Sequence, residues 1–235
     1  MKIFIVIPAL NERESMGDLV HETLGQPNVD SVVVVDNGST DDTAAVAQAA
    51  GAHVVSEPLR GYGFACKAGS NYAISQQADI IVYMDGDYSS LPSELGTILE
   101  PILSGSADLV LGSRTLGVIA ENAMPPHQKF GNWLTSKIIN LIFGEQITDL
   151  GPYRAITAEL LEELNMQEMT FGWPTEMQVK SLALGKRVIE VPASWHNRRG
   201  GVSKVGGTIK GSILAGWYIL GSTFRYRKFN KMQAQ

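Results

Sequence analysis

Cysteine occurs once in this chain of 235 residues, at Cys66, so an internal disulfide is excluded and a reducing compartment fits. Long apolar runs are missing as well. The run inside "MKIFIVIPALNERE" is too short for a secretion signal and reads as a first strand. The uncharged stretch Gly211 to Phe224 holds 14 residues, where a bilayer span needs about 20. Basic charge is scarce: the net charge is −5 and the pI about 5.4. With no basic helix carrying interleaved aromatics, bulk nucleic-acid binding is excluded. No G-x-G-x-x-G follows the first strand and no G-x-x-x-x-G-K-[ST] occurs, which disfavours a dinucleotide-dependent dehydrogenase and a P-loop enzyme.

What remains is an ordinary globular composition, 44% hydrophobic and 18% charged, with charge unevenly placed. Residues 1–100 hold 14 Asp/Glu against 4 Lys/Arg, and residues 101–235 hold 10 against 15. An acidic first half suits a metal cation, and a basic second half suits an anion.

The first half alternates β-rich runs with helical patterns. "IFIVIP" precedes "NERESMGDLVHETL", whose Met16, Leu19, Val20 and Leu24 share a helical face behind an Asn11 cap. "SVVVVD" precedes a helix opened by Ser39, Thr40 and Asp41. "HVVS", "IIVYMD" and "LVLGS" complete the strand set. Continuously apolar strands separated by helices predict an α/β fold with a mostly parallel sheet covered on both faces. The second half is less regular: "HQKFGNWLTSKIINLIFG" and "PTEMQVKSLALG" read as helices, "KRVIEVP" as a strand, and "NRRGGVSKVGG" as a glycine-rich basic loop.

Ligands of such sheets bind beyond the carboxyl ends of the strands. Polar residues gather there: Asn11 and Glu12 after the first strand, Asp36 after the second, and Asp85 and Asp87 after the fourth. An Asp-x-Asp pair at a strand end lets one carboxylate ligate Mg²⁺ or Mn²⁺ while the other reaches a ribose or a metal-bound water. Gly86 between them permits close approach. Taken alone, the pair reads first as two solvated turn acids; the other two strand ends favour a site.

At this point the chain resembles the family 2 glycosyltransferases of GT-A (Rossmann-like) fold, and within them the dolichyl-phosphate mannose and glucose synthase branch. The matching pieces run in family order over about residues 3–210: "VIPALNE", "VVVVDNGSTDDT", "GYGFACKAG", "YMDGDYSSLPSEL", "LVLGSR", "TDLGPYRAI", "WPTEMQVK" and "NRRGGVSKVGGT". The resemblance implies a catalytic domain over 1–210 with an irregular acceptor-side half, followed by a C-terminal helix and basic tail, 211–235. It implies inverting transfer of a hexose from a UDP- or GDP-sugar to a polyprenyl or dolichyl phosphate; a soluble hydroxyl acceptor and an inactive nucleotide-sugar-binding partner are the alternatives. Pro8, Asn11, Glu12, Asp36 and Asn37 would line the base and ribose, with Lys67, Asp85 and Gly86 beside them. Asp87, with Asp85, would hold the metal, and Arg114 would face the sugar or its diphosphate. The branch often places a metal-holding Gln two residues after the second Asp; here that residue is Ser89, so the third position falls to Ser89, a water or nothing.

Transfer to a hydroxyl needs a general base, whereas a phosphate acceptor is already an anion. Glu176 and Asp149 are the second-half carboxylates that match family motifs. Glu176 reads either as a catalytic acid or base or as a first-turn helix charge. Asp149 is either catalytic or paired with Arg154, itself a candidate for phosphate or acceptor. Arg198, Arg199 and Lys204 form either a phosphate-covering loop or a solvated one. The stripe Ile213, Trp217, Leu220 and Phe224, ending in "RYRKFNK", lies at a membrane interface or packs on the domain. A cytoplasmic protein, peripheral at the membrane face, fits these readings.

Overall fold

A computed structural model describes residues 1–201 and 209–230. In the first half β1 (Ile3–Ala9), α1 (Arg13–Leu24), β2 (Ser31–Asp36), α2 (Thr43–Ala49), β3 (His53–Ser56), α3 (Tyr62–Ser75) and β4 (Ile80–Tyr83) alternate strictly. A short 3₁₀ turn at Pro92–Glu94 leads into α4 (Leu95–Leu103) and β5 (Leu109–Ser113). Then follow α5 (Pro126–Phe143), β6 (Arg154–Thr157), α6 (Ala158–Leu164), α7 (Trp173–Ala183), β7 (Val188–Pro192) and α8 (Ile209–Tyr226). The seven-stranded sheet has the order β3-β2-β1-β4-β6-β5-β7.

Pairing is parallel among β3, β2, β1 and β4 and between β5 and β7; β6 alone runs against its neighbours. Parallel strands buried on both faces must be apolar at every position, and alternation then assigns each residue to one of two cores. Ile3, Ile5 and Ile7 pack with Met16, Leu19 and Val20 of α1 and Ile98 and Leu99 of α4. Phe4 and Val6 pack on the opposite face with Ala65 and Cys66 of α3 and Trp173 and Met177 of α7. Gly69 lets α3 lie close to the sheet, since a Cβ there would come within 2.4 Å of Val6 Cγ1.

Asn11 is not the cap of α1. It takes a left-handed conformation (φ 53°), and Glu12 stands at the cap position. At α2 the cap position is Asp42, while Asp41 Oδ1 accepts from Thr43 N at 3.0 Å. The C-terminal stripe divides its roles. One side of α8 packs on α5 and α7, with Ser222 and Thr223 buried and Lys180 Nζ 4.6 Å from the Tyr226 ring centroid. Trp217 and Phe224 face outward, 77% and 50% exposed, and the Ile213 side chain lies outside the description.

Candidate active site

The carboxyl ends of β1, β2 and β4 lie side by side, as Ala9 pairs with Asp36, Asn37 N donates to Ala9 O and Met84 N to Val6 O. Asn11 and Asn37, expected to line a nucleotide, hold the loops that follow these strands. Asn11 Oδ1 accepts from Thr40 N at 2.7 Å. Asn37 is buried; its Nδ2 donates to Glu57 O and Leu59 O, and its Oδ1 accepts from Gly61 N. Both donors and the oxygen of that amide are therefore engaged in shaping segment 57–61. Pro8 and Asp36 stay half-buried at the strand ends, with Asp36 Oδ1 accepting from Ser39 N. Lys67 is half-buried on α3 and forms no ion pair with the carboxylates among the described residues.

Gly86 fits against β1: a Cβ would lie 3.2 Å from Pro8 O and 3.1 Å from Met16 Cε, and Ser15 Oγ donates to Gly86 O at 2.7 Å. This contact draws the Asp85–Asp87 turn under Pro8 and Glu12. Tyr62 donates its hydroxyl to Asp85 Oδ1 at 3.3 Å. Burial, then the neighbouring Asp87 charge, push the Asp85 carboxyl up to about 7 from its ordinary 3.8. Asp87 is fixed by Ser89, which donates both its backbone N (3.0 Å) and its hydroxyl to Oδ1. The Ser89 hydroxyl thus orients Asp87 through Oδ1, while Oδ2 lies 3.6 Å from Arg198 Nη1.

Two neighbouring carboxylates, one of them raised by burial and then by the other's charge, make a place where a cation is favourable. Among the described residues no group of three or more His, Cys, Asp or Glu side chains stands at metal-holding distance. The donor set fits Mg²⁺ or Mn²⁺, which bind through one or two carboxylates and complete their shell with substrate phosphates and water.

Three second-half candidates are engaged by partners within the protein. Glu176 is 0% exposed; its carboxylate accepts from Gln167 N and Glu168 N and pairs with Lys180 Nζ at 2.6 Å. So enclosed, the Glu176 carboxylate ties the first turn of α7 to Gln167 and Glu168. Asp149, also 0% exposed, does not pair with Arg154. It accepts from Arg114 N (2.7 Å), Nε (2.8 Å) and Nη2 (2.7 Å), and from Leu150 N. This fork-on-fork pair, with the guanidinium carbon 5.1 Å from the Trp195 ring centroid, fixes Arg114, whose charge lowers the Asp85 carboxyl against the effect of burial. Arg154 is buried and donates to Pro174 O, Leu150 O and Gly151 O; burial lowers its guanidinium to about 10. It is bound to backbone carbonyls of the protein interior.

The loop cations do reach the site. Arg198 Nη2 donates to both Glu12 oxygens, at 2.9 and 2.7 Å, and Nη1 lies 3.6 Å from Asp87 Oδ2. The Arg199 guanidinium covers the Tyr88 ring at 3.4 Å and pairs with Asp18. Lys204 lies outside the described residues. Tyr62, Ser15 and Trp195 were not singled out from the sequence, since their partners lie 23 or more positions away.

Comparisons with known proteins bear on the family and the fold. A family profile, Glycosyl transferase family 2, matches residues 4–164. A protein of Mycobacterium tuberculosis named an uncharacterized glycosyltransferase is 35% identical over 213 residues, covering 91% of this chain and 94% of the relative. The undecaprenyl-phosphate mannosyltransferase of Micrococcus luteus is 31% identical over 224 residues, 91% of each chain. A solved structure of glucosyl-3-phosphoglycerate synthase from Mycobacterium tuberculosis, in complex with Mn²⁺, UDP and phosphoglyceric acid, matches 97% of this chain and 79% of that one. Its TM-score is 0.75 at 22% identity, a likeness of fold: the mostly parallel GT-A sheet.

Proposed function

The chain belongs to glycosyl transferase family 2, and from that premise we propose that it is a metal-dependent inverting hexosyltransferase. Its donor is a UDP- or GDP-hexose and its acceptor a polyprenyl phosphate. Residues 1–210 act as the catalytic unit, and 211–235 as an extension lying at the cytoplasmic membrane surface. Glu12, Asp36 and Pro8 line the nucleoside, and Arg114, fixed by Asp149, meets the diphosphate or its sugar. Asp87 and Asp85 would hold Mg²⁺ or Mn²⁺, which supplies neutralisation of the departing nucleoside diphosphate. An acceptor phosphate oxygen attacks the anomeric carbon as the bond from that carbon to the diphosphate oxygen breaks. The bonding pair leaves with the diphosphate, and no proton needs to move.

The observation that carries the acceptor reading is the enclosure of Glu176 and Asp149. Both second-half carboxylates that match family motifs are 0% exposed and engaged by internal donors, a situation suited to an acceptor that arrives ionised. The outer surface supports a membrane-borne substrate. On α5, Phe130, Trp133, Lys137 and Leu141 follow one another at helical spacing and are exposed. The packed neighbour α8 adds Trp217 and Phe224, with Arg227 and Lys228 exposed beyond them. Aromatics with nearby cations suit the interface of an anionic bilayer.

The test is transfer of labelled hexose from UDP-glucose, UDP-galactose or GDP-mannose in the presence of Mn²⁺. Undecaprenyl phosphate in mixed vesicles and soluble 3-phosphoglycerate are offered side by side. The reading expects label in the lipid fraction from one donor; label confined to the soluble acceptor overturns it.

A further inference from the structure

A positively charged side chain already sits on the carboxylates that the proposed function gives to a metal and a nucleotide. The Arg198 guanidinium grips both oxygens of Glu12, at 2.9 and 2.7 Å, and extends its other nitrogen to 3.6 Å from Asp87 Oδ2, the oxygen that takes no hydrogen bond from Ser89. This placement is built. His196 N donates to Ser89 O at 2.8 Å and Arg199 N to Asp87 O at 3.1 Å, so the backbone of 196–199 lies along the Asp87–Ser89 turn. Arg199 anchors the same segment through Tyr88 and Asp18. Arg198 Nε donates to Gly200 O, curling the chain back on itself. At Gly200 a Cβ would stand 1.8 Å from Glu14 Oε2, so a side chain there would displace the loop from α1.

We propose that Arg198 is a built-in competitor for the divalent metal: the guanidinium and the ion are alternative cations for the Asp87 carboxylate, and each weakens the other's hold. The inference rests on the metal-site reading of Asp87. Both partners retain side-chain exposure, 21% for Arg198 and 18% for Asp87, so exchange needs no opening of the core. A guanidinium and a divalent cation cannot occupy one carboxylate edge without strong repulsion in a partly desolvated site. An Arg displaced by the metal remains tethered beside the site, where its planar fork suits a phosphate. Metal entry then frees an anion receiver next to the carboxylates that the metal has taken. Metal and phosphate-bearing ligand would bind in favour of one another, while metal alone binds against a resident charge.

The two halves predict opposite signs for one substitution, which a merely structural role for Arg198 would not produce. Mn²⁺ alone is titrated calorimetrically into the full-length protein and into Arg198→Gln, and UDP, or GDP where that is the nucleotide the parent binds, is titrated in saturating Mn²⁺. Arg198→Gln is expected to bind Mn²⁺ alone about tenfold more tightly, because a competing charge is gone, and UDP·Mn²⁺ about tenfold more weakly. Arg198→Lys, which keeps the charge, stays nearer the parent protein on both measures. Unchanged or weaker Mn²⁺ binding in Arg198→Gln, with UDP·Mn²⁺ binding still measurable in the parent, overturns the competition. Absence of Mn²⁺-dependent binding of both UDP and GDP in the parent overturns the metal-site reading itself, and the competition with it. A second measurement needs no variant: trypsin cleavage after Arg198 and Arg199 in the parent, followed by mass spectrometry, should accelerate with Mn²⁺ alone. Unaltered cleavage at saturating Mn²⁺ would also sink the proposal.

Discussion

Replacing Glu176 by Gln separates a catalytic carboxylate from a structural one. The native group is fully enclosed, accepts backbone donors from Gln167 and Glu168 at 2.6–3.0 Å and pairs with Lys180 at 2.6 Å. Gln keeps the shape and one acceptor oxygen but removes the charge and turns an NH₂ toward donors. Breaking a buried pair on one side costs about 3–5 kcal/mol. Lys180 retains Leu164 O at 2.7 Å, Asn165 O at 3.0 Å and the Tyr226 and Phe229 rings, so the lower end, about 3 kcal/mol, applies. For a chain of this size that corresponds to a fall in Tm of roughly 6–12 °C. Urea denaturation and calorimetry give the stability. Steady-state transfer by the folded fraction gives the kinetics, with kcat expected within about threefold of the parent. Glu176→Gln combined with Lys180→Met should lose less than the sum of the two single changes, since the unpaired buried charge is removed. Full stability with a fall in kcat of about a thousandfold would refute the reasoning and restore Glu176 as a base.

Three further outcomes follow from named contacts. Between its ordinary 3.8 and about 7 the folded Asp85 holds a proton that the unfolded chain lacks, so its contribution to stability falls as pH rises across that window. Metal binding needs the ionised form, so Mn²⁺ affinity, by calorimetry at pH 6 and 7.5, should weaken toward lower pH by up to about tenfold per unit. Gly69→Ala places a methyl group 2.4 Å from Val6 Cγ1 and should destabilise the protein by about 1–3 kcal/mol in urea titration. Trp133→Ala with Trp217→Ala should reduce cosedimentation with anionic vesicles at least about fivefold while UDP·Mn²⁺ affinity stays unchanged; unchanged cosedimentation would place membrane contact elsewhere.

The parallel half of the fold was legible because a strand buried on both faces must be apolar throughout, and runs such as "SVVVVD" admit few other readings. The strand-end carboxylates were legible because the topology gathers strand ends whatever the loops do. β6 was not. "RAIT" is four residues long, opens on a buried arginine and runs antiparallel between β4 and β5, a reversal that no local pattern announces. The roles of Glu176, Asp149 and Arg154 were open for a related reason: a charged residue in a motif looks the same whether it meets a ligand or a backbone amide. Asn11 and Asn37 show the same ambiguity, since their amides engage the neighbouring loops. Arg198 was read as a cation for phosphates, and its grip on Glu12 spans 186 positions of chain.

The central claim is that Asp85 and Asp87 hold a nucleotide diphosphate sugar through a divalent metal. It is tested most directly by calorimetric titration of UDP, GDP and their glucose and mannose conjugates, with and without Mn²⁺, into the parent and Asp87→Ala. The account expects Mn²⁺-dependent binding of one nucleotide by the parent and its loss in Asp87→Ala, with the thermal transition of the variant retained. Equal Mn²⁺-dependent affinity in the two proteins would contradict it and remove Asp87 from the site.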